Sequence, residues 1–219
     1  MCSVSTDRNG GRRRPNAEPF SWDGRSGSGR RSNRWWPVWM GCCRHSVVSW
    51  SSRVSPSGVR MNVAAKKTTL RMFTNGVYIL TSCHDEEIGA ATVTWVSQAS
   101  FTPPLLTVAV RPTNSVFRCL AKSAVAVLHV LGHHQTDLAK KFFTPTAVQD
   151  DTINGEPFSH GAMRAPILSN APAYLECTVR QIVDQGSDHA VVILEVVDAV
   201  CREHVRPLTM ADTPWEYGG

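Results

Sequence analysis

The sequence predicts a mainly β fold, a closed or partly closed barrel with short flanking helices. Two observations carry that prediction. Residues 70–201 are mostly apolar and β-branched runs broken by turn residues, and only two stretches, both short, carry a helical pattern. Strands alternating with long helices would indicate a parallel α/β sheet, whereas long strands with short helices indicate a barrel.

The run GVYILTSC at 76–83 is rich in strand formers and is bounded by Gly76 and the charged turn HDEE. IGAATVTWVSQAS follows as a second strand passing into a loop, and PLLTVAV at 104–110 as a third. RPTNSVFRCLAKS is a loop feeding a short helix, because Thr113, Asn114 or Ser115 can cap it ahead of Val116, Phe117 and Leu120. AVAVLHVLG at 124–132 is a fourth strand, and in HHQTDLAKKFF either Thr136 or Asp137 caps a second helix. After a loop marked by Pro and Gly come two long strands, AYLECTVRQIVDQ and HAVVILEVVDAVCRE, joined by the turn GSD. There is no internal repeat.

Charge divides the 219-residue chain unevenly. Residues 1–60 hold 11 Arg and no Lys against 3 acidic residues, a balance of +8; the rest carries 12 basic and 15 acidic side chains, a balance of −3. The first segment is rich in Ser, Gly, Arg and Trp and cannot bury enough aliphatic surface to offset its chain entropy. It is expected to be disordered, an upstream translated extension with a natural start near Met61, leaving residues 61–219 as one domain. A rival reading makes it a nucleic-acid arm, with Arg clusters for phosphate and Trp for stacking; nucleic acid is not the expected partner. The stretch WWPVWMGCC is short, interrupted by Pro37 and not followed by a small-residue cleavage site, so a targeting signal is not expected there. No run reaches the ~20 apolar residues of a membrane-spanning helix, and no membrane association is expected.

The seven cysteines form no C-x-x-C pair and leave an odd count, so neither a zinc site nor a disulfide framework is expected. Reduced thiols in a cytoplasm fit best, with Cys83, Cys119, Cys177 and Cys201 as core fillers. The pair His133 and His134 has no third ligand in view, and no metal is expected. His129 reads as a satisfied strand histidine.

The stretch GAATVTWVSQASFTPP at 89–104 is unusual because it starts as a buried strand yet carries Thr92, Thr94, Ser97, Gln98 and Ser100. Side chains two apart share a strand face, so Thr92 and Thr94 together offer hydroxyls to a ligand with many acceptors. A flavin, with its ring carbonyls and nitrogens and its phosphate-bearing ribityl chain, is such a ligand. The rival reading is a half-exposed strand whose threonines serve β propensity. Pro103 and Pro104 fix the backbone where the loop turns back.

Several segments in order, LRMFTNGVYILTS, the run from GAATVTWVSQASFTPP through QTDLAKKFF, and APILSNAPAYLECTVRQIVDQGSDHAVVILEVVDA, resemble the flavin reductase-like family of FMN-binding split β-barrels. The resemblance covers roughly residues 67–200. The tail PLTMADTPWEYGG is similar to the C-termini of some members, from which the chain is expected to be complete at that end.

The resemblance implies a homodimer with one flavin per subunit near the interface, FMN or FAD, reduced by hydride from NADH or NADPH. It places flavin contacts on Thr92, Thr94, Trp95, Val96, Ser97, Gln98 and Ser100. Arg111, Asn114 and Ser115 fall at the phosphate end, where a guanidinium and a helix N-terminus suit an anion. His189, in GSDH, falls near the flavin and nicotinamide as the candidate catalytic residue; the hydride chemistry belongs to the cofactor and needs no proton transfer from the ring. No Gly-rich dinucleotide fingerprint opens a helix, as expected if the nicotinamide folds over a bound flavin.

The expected function is a flavin reductase that supplies reduced flavin to a separate monooxygenase. The alternatives are an FMN-binding electron-transfer protein without reductase activity, and a binding module whose basic arm docks nucleic acid.

Overall fold

The computed structural model describes residues 61–218. The Arg-rich segment, and with it the expectations of disorder and of a nucleic-acid arm, lies outside the described residues.

The chain opens with helix α1 (Val63–Arg71), capped by Asn62, whose side chain accepts from Ala65 N. Strands β1 (Tyr78–His84), β2 (Glu87–Val93), β3 (Val96–Ser100) and β4 (Leu105–Val110) follow, then α2 (Ser115–Ser123), β5 (Val125–Val130) and α3 (Thr136–Lys141). Four short strands come next: β6 (Val148–Gln149), β7 (Thr152–Ile153), β8 (Glu156–His160) and β9 (Pro166–Leu168). The long hairpin of β10 (Ala173–Val183) and β11 (Ala190–Cys201) precedes a single 3₁₀ turn at Met210–Asp212 and the C-terminal tail.

The main sheet has seven strands in the order β2-β1-β5-β10-β11-β4-β3, and every neighbouring pair is antiparallel. Its two end strands, β2 and β3, are successive in the chain and separated only by Thr94 and Trp95. So short a link forces the two ends of the sheet together, and the sheet curls into a barrel that is open along the β2–β3 seam. Beyond the seam, Ala109 N donates to Trp95 O at 3.0 Å.

Alternation along β1 sends its side chains to two cores. Leu80 packs inside the barrel with Val93, Val108, Leu128, Cys177 and Leu194, together with Val116 and Leu120 of α2. Ile79 packs outside it with Leu131, Leu138, Phe142, Ile153, Leu168 and Leu208. This second core joins α3, the β6–β9 sheet and the start of the tail to the barrel.

Gly89 on β2 sets the position of α2. A Cβ there would lie 2.4 Å from the Cα and the N of Val116, so the first turn of α2 rests directly on the strand. Any larger residue would push the helix off the barrel wall.

His129 is fully buried between the layers. Its Nδ1 lies 3.0 Å from Ile79 O, and its Nε2 accepts from Leu168 N at 3.0 Å. The ring is therefore neutral, with its proton on Nδ1, and it ties β1 and β5 to β9. Burial pushes its pKa down to about 4.

The mainly β prediction and its principal strands match the structure, with four differences. The expected single strand at 88–100 is two strands, because Thr94 and Trp95 leave β2 to cross the seam. The expected Pro- and Gly-marked loop holds the β6–β9 sheet, three of whose four strands are only two or three residues long, too short to show alternation. Neither Thr136 nor Asp137 caps α3. Gln135 stands at that position and makes no capping bond, its side chain instead accepting from Gly132 N. Of the expected core cysteines, Cys119 and Cys177 are buried, with thiols pushed up to about 11 and about 12 by burial; Cys83 is only partly buried and Cys201 is exposed.

Candidate functional site

The open seam, the start of α2 and the C-terminal tail surround a cavity of about 800 Å³. The barrel side is lined by Thr92, Thr94, Trp95 and Arg111, the helix side by Asn114, Ser115 and Arg118, and the outer wall by Phe142–Thr146, His189 and Trp215–Tyr217.

Thr94 sits at the point where β2 ends. Its hydroxyl is buried and has no hydrogen-bond partner. A buried hydroxyl left unpaired costs ~1–3 kcal/mol, so an occupant that accepts from it offsets that cost. Thr92 differs: its hydroxyl donates to Ala139 O at 2.7 Å, which ties β2 to α3.

Asn114 occupies the N-cap position of α2 without a side-chain capping bond. The first-turn N–H groups have no acceptor within the helix, and the Asn114 side chain supplies none. Ser115 Oγ is 2.8 Å from Thr146 Oγ1, which in turn accepts from Ala90 N at 2.9 Å, so the 142–146 loop is fastened to the helix start and to β2. Arg118 lies one turn further along; its guanidinium donates to Thr113 O at 3.1 Å and to Glu87 at 3.2 Å. Arg111 follows β4 directly and lines the cavity. A helix N-terminus with Arg111 beside it, and with Arg118 paired to Glu87, offers the kind of donors that suit an anion.

His189 immediately precedes β11, after a turn in which Gly186 adopts a φ of +69°. Its side chain is 9% exposed. Nε2 lies 3.1 Å from the Tyr217 hydroxyl. Nδ1 is 3.2 Å from an Asp188 carboxylate oxygen, a contact that holds the Asp188 carboxyl below the usual carboxylate range. The separation suits attraction, but the geometry is not that of a hydrogen bond, and Nδ1 is left without a partner.

Aromatic rings cover this end. The Trp95 ring is 4.7 Å from His189 and 5.5 Å from Tyr217, tilted by about 50° to each, and Phe143 meets Trp215 edge-on at 4.7 Å. The tail that supplies Trp215 and Tyr217 is held by Arg71 of α1, which donates to Glu216 at 2.9 Å and to Gly218 O at 3.1 Å.

A cavity at an open barrel seam that holds two buried unpaired polar atoms and a helix N-terminus suits a polar ligand, and the sequence match decides the family: residues 70–216 match the Flavin reductase like domain. The chain belongs to that family. Among relatives, this flavin reductase-like domain is 38% identical over 128 residues to Diflavin flavoprotein A 1 of Synechocystis sp. (56% of this chain, 22% of that protein). It is 32% identical over 129 residues to the reductase component of the 4-nitrophenol 4-monooxygenase/4-nitrocatechol 2-monooxygenase of Rhodococcus opacus (58% of this chain, 66% of that protein). The chain thus spans about a fifth of the first relative's length and just under two thirds of the second's. In fold it is similar to a flavin reductase domain protein from Arthrobacter sp. FB24, with a TM-score of 0.60 at 23% identity, covering 70% of this chain and 98% of that one.

Of the residues singled out in the sequence, Thr92, Thr94, Trp95, Arg111, Asn114, Ser115 and His189 line the cavity of the flavin reductase-like domain. Val96, Ser97, Gln98 and Ser100 do not; they lie on β3 past the seam, with Ser97 and Gln98 exposed and the Ser97 hydroxyl turned to Gln98 O at 3.2 Å. The sequence reading missed the 142–146 loop, Arg118 and the tail. Arg118 was within reach, since it follows Asn114 by four residues and so faces the same side of α2. The W-x-Y of the tail is an aromatic pair with no core pattern around it. Among the described residues, no helix is long and apolar enough to cross a membrane.

Proposed function

We propose that this domain binds a flavin in the seam cavity and catalyses its reduction by NAD(P)H, passing reduced flavin to a separate oxygenase. The observation that carries the reading is the pairing of unpartnered Thr94 Oγ1 and His189 Nδ1 with an uncapped helix start and Arg111 in one cavity of about 800 Å³. Ring acceptors suit the first pair and a phosphate suits the second. When bound, the flavin supplies the acceptor for two electrons, chemistry no side chain here can supply.

The chain's own part is binding, orientation and exclusion of water. Thr94 donates to an acceptor at the barrel end. Arg111 and the first turn of α2 hold the anionic end, with Arg118 adding charge. Trp95, Phe143 and Trp215 flank the cavity with apolar surface. His189 faces the space where flavin and nicotinamide would meet. A homodimer and a cytoplasmic location belong to the same reading; exposed Phe101, Val191 and Val197 are apolar surface suited to a second copy of the chain.

A second reading is favoured by the partial match to a diflavin flavoprotein: the domain keeps its flavin and takes electrons from another protein. Titrating the full-length protein with FMN and FAD, followed by quenching of flavin fluorescence, separates the two. The reductase reading predicts saturable, exchangeable binding. Flavin that copurifies and survives exhaustive dialysis favours the carrier, and no binding of either flavin defeats both.

A further inference from the structure

Tyr217 and Asp188 reach the two nitrogens of His189 from opposite sides. Nε2 is 3.1 Å from the Tyr217 hydroxyl and Nδ1 is 3.2 Å from the Asp188 carboxylate. A neutral imidazole carries one N–H and one lone pair. A lone pair on Nδ1 would face a carboxylate, whereas a proton there is attracted to it. The tyrosine hydroxyl accommodates either choice at Nε2, because it donates or accepts as required. Only one arrangement satisfies both neighbours: the proton on Nδ1, with Tyr217 O–H donating to Nε2. Trp95 packs against both rings and limits their rotation. Since Nδ1 is buried and unpartnered, its N–H remains for an acceptor in the cavity.

We propose that Tyr217 and Asp188 are positioning residues that fix His189 as an Nδ1–H donor to a carbonyl acceptor on the molecule bound in the cavity. That acceptor is a ring carbonyl of a flavin or the carboxamide of a nicotinamide, so the proposal rests on the reading of the site given above. The tail contributes through Tyr217, and Arg71 holds the tail in place from α1.

The test begins with the full chain free of ligand. In alkaline buffer, ¹⁵N imidazole spectra, with the His189 signals assigned by their loss in His189→Gln, are expected to show the proton on Nδ1. Asp188→Ala removes the carboxylate that draws the proton to Nδ1, and is expected to populate the Nε2–H form; Tyr217→Phe keeps the ring against Trp95 and removes only the hydroxyl that holds Nε2. A proton on Nε2 in the unaltered protein, or an unchanged tautomer in Asp188→Ala, overturns the proposal. This readout needs no bound flavin and no turnover, so it stands or fails separately from the reductase reading. With ligands, Tyr217→Phe is expected to weaken FMN binding by about 2- to 10-fold if the flavin carbonyl is the acceptor. It is expected to raise KM for NADH or NADPH by a similar factor, with FMN binding unchanged, if the carboxamide is. No change in either quantity overturns the role toward ligand.

Discussion

Thr94 Oγ1 and His189 Nδ1 are, among the described residues, the buried side-chain polar atoms without a hydrogen-bond partner, and both residues line the same cavity. They are far apart in sequence, one directly after β2 and the other directly before β11. The barrel seam and the long β10–β11 hairpin bring them to one place. Buried polar groups in folded proteins are almost always paired, and these two orphans in one cavity are what the proposed polar occupant would satisfy.

Thr94→Val keeps the shape and the β preference of the residue and removes only the hydroxyl. Because that hydroxyl has no partner to lose, thermal unfolding of the free protein is expected to be unchanged or raised. Flavin affinity is expected to fall by about 2- to 10-fold, the worth of one net hydrogen bond. A clear loss of stability with full flavin affinity would show that the hydroxyl serves the fold instead.

Arg111 is assigned to an anion, so its removal is expected to discriminate between flavins by charge. Arg111→Ala is expected to weaken FMN by roughly 10- to 100-fold, the worth of a charge-assisted bond of about 1.5–3 kcal/mol, and to leave riboflavin binding unaltered. Equal losses for FMN and riboflavin, measured by fluorescence quenching, would place the phosphate elsewhere.

His129 makes stability depend on pH. Burial lowers its pKa to about 4 in the folded protein from 6.5 as the ordinary value, so the unfolded chain binds the extra proton first. The stabilisation from the neutral ring is complete above pH 6.5 and is lost as pH falls toward 4, a change on the order of 3 kcal/mol. Urea unfolding between pH 7 and 4 is expected to show a shallower decline in His129→Gln than in the unaltered protein, from a lower starting stability. Equal slopes would remove His129 as the cause.

The barrel was legible because its strands are long and strongly patterned: GVYILTSC, PLLTVAV and the β10–β11 pair hold their character over six residues or more. The β6–β9 sheet was not, since its short strands gain their stability from packing Ile153 and Leu168 onto the barrel rather than from their own pattern. The polar stretch at 92–100 pointed to the site, but sequence alone could not show that the chain crosses the seam at Thr94 and Trp95. That crossing sends Thr92 and Thr94 to the cavity and Ser97 and Gln98 to the outside. His189 was visible through a family motif, whereas its partner Tyr217, 28 residues away, depends on how the tail folds back.

Absorbance decay of NADH and of NADPH, each mixed with the protein alone and with catalytic FMN or FAD, is the most direct test that the seam cavity houses flavin reduction. Oxidation that requires added flavin, and that falls in Thr94→Val and Arg111→Ala, is the predicted result. Flavin bound in the cavity with no oxidation of either nicotinamide would contradict it.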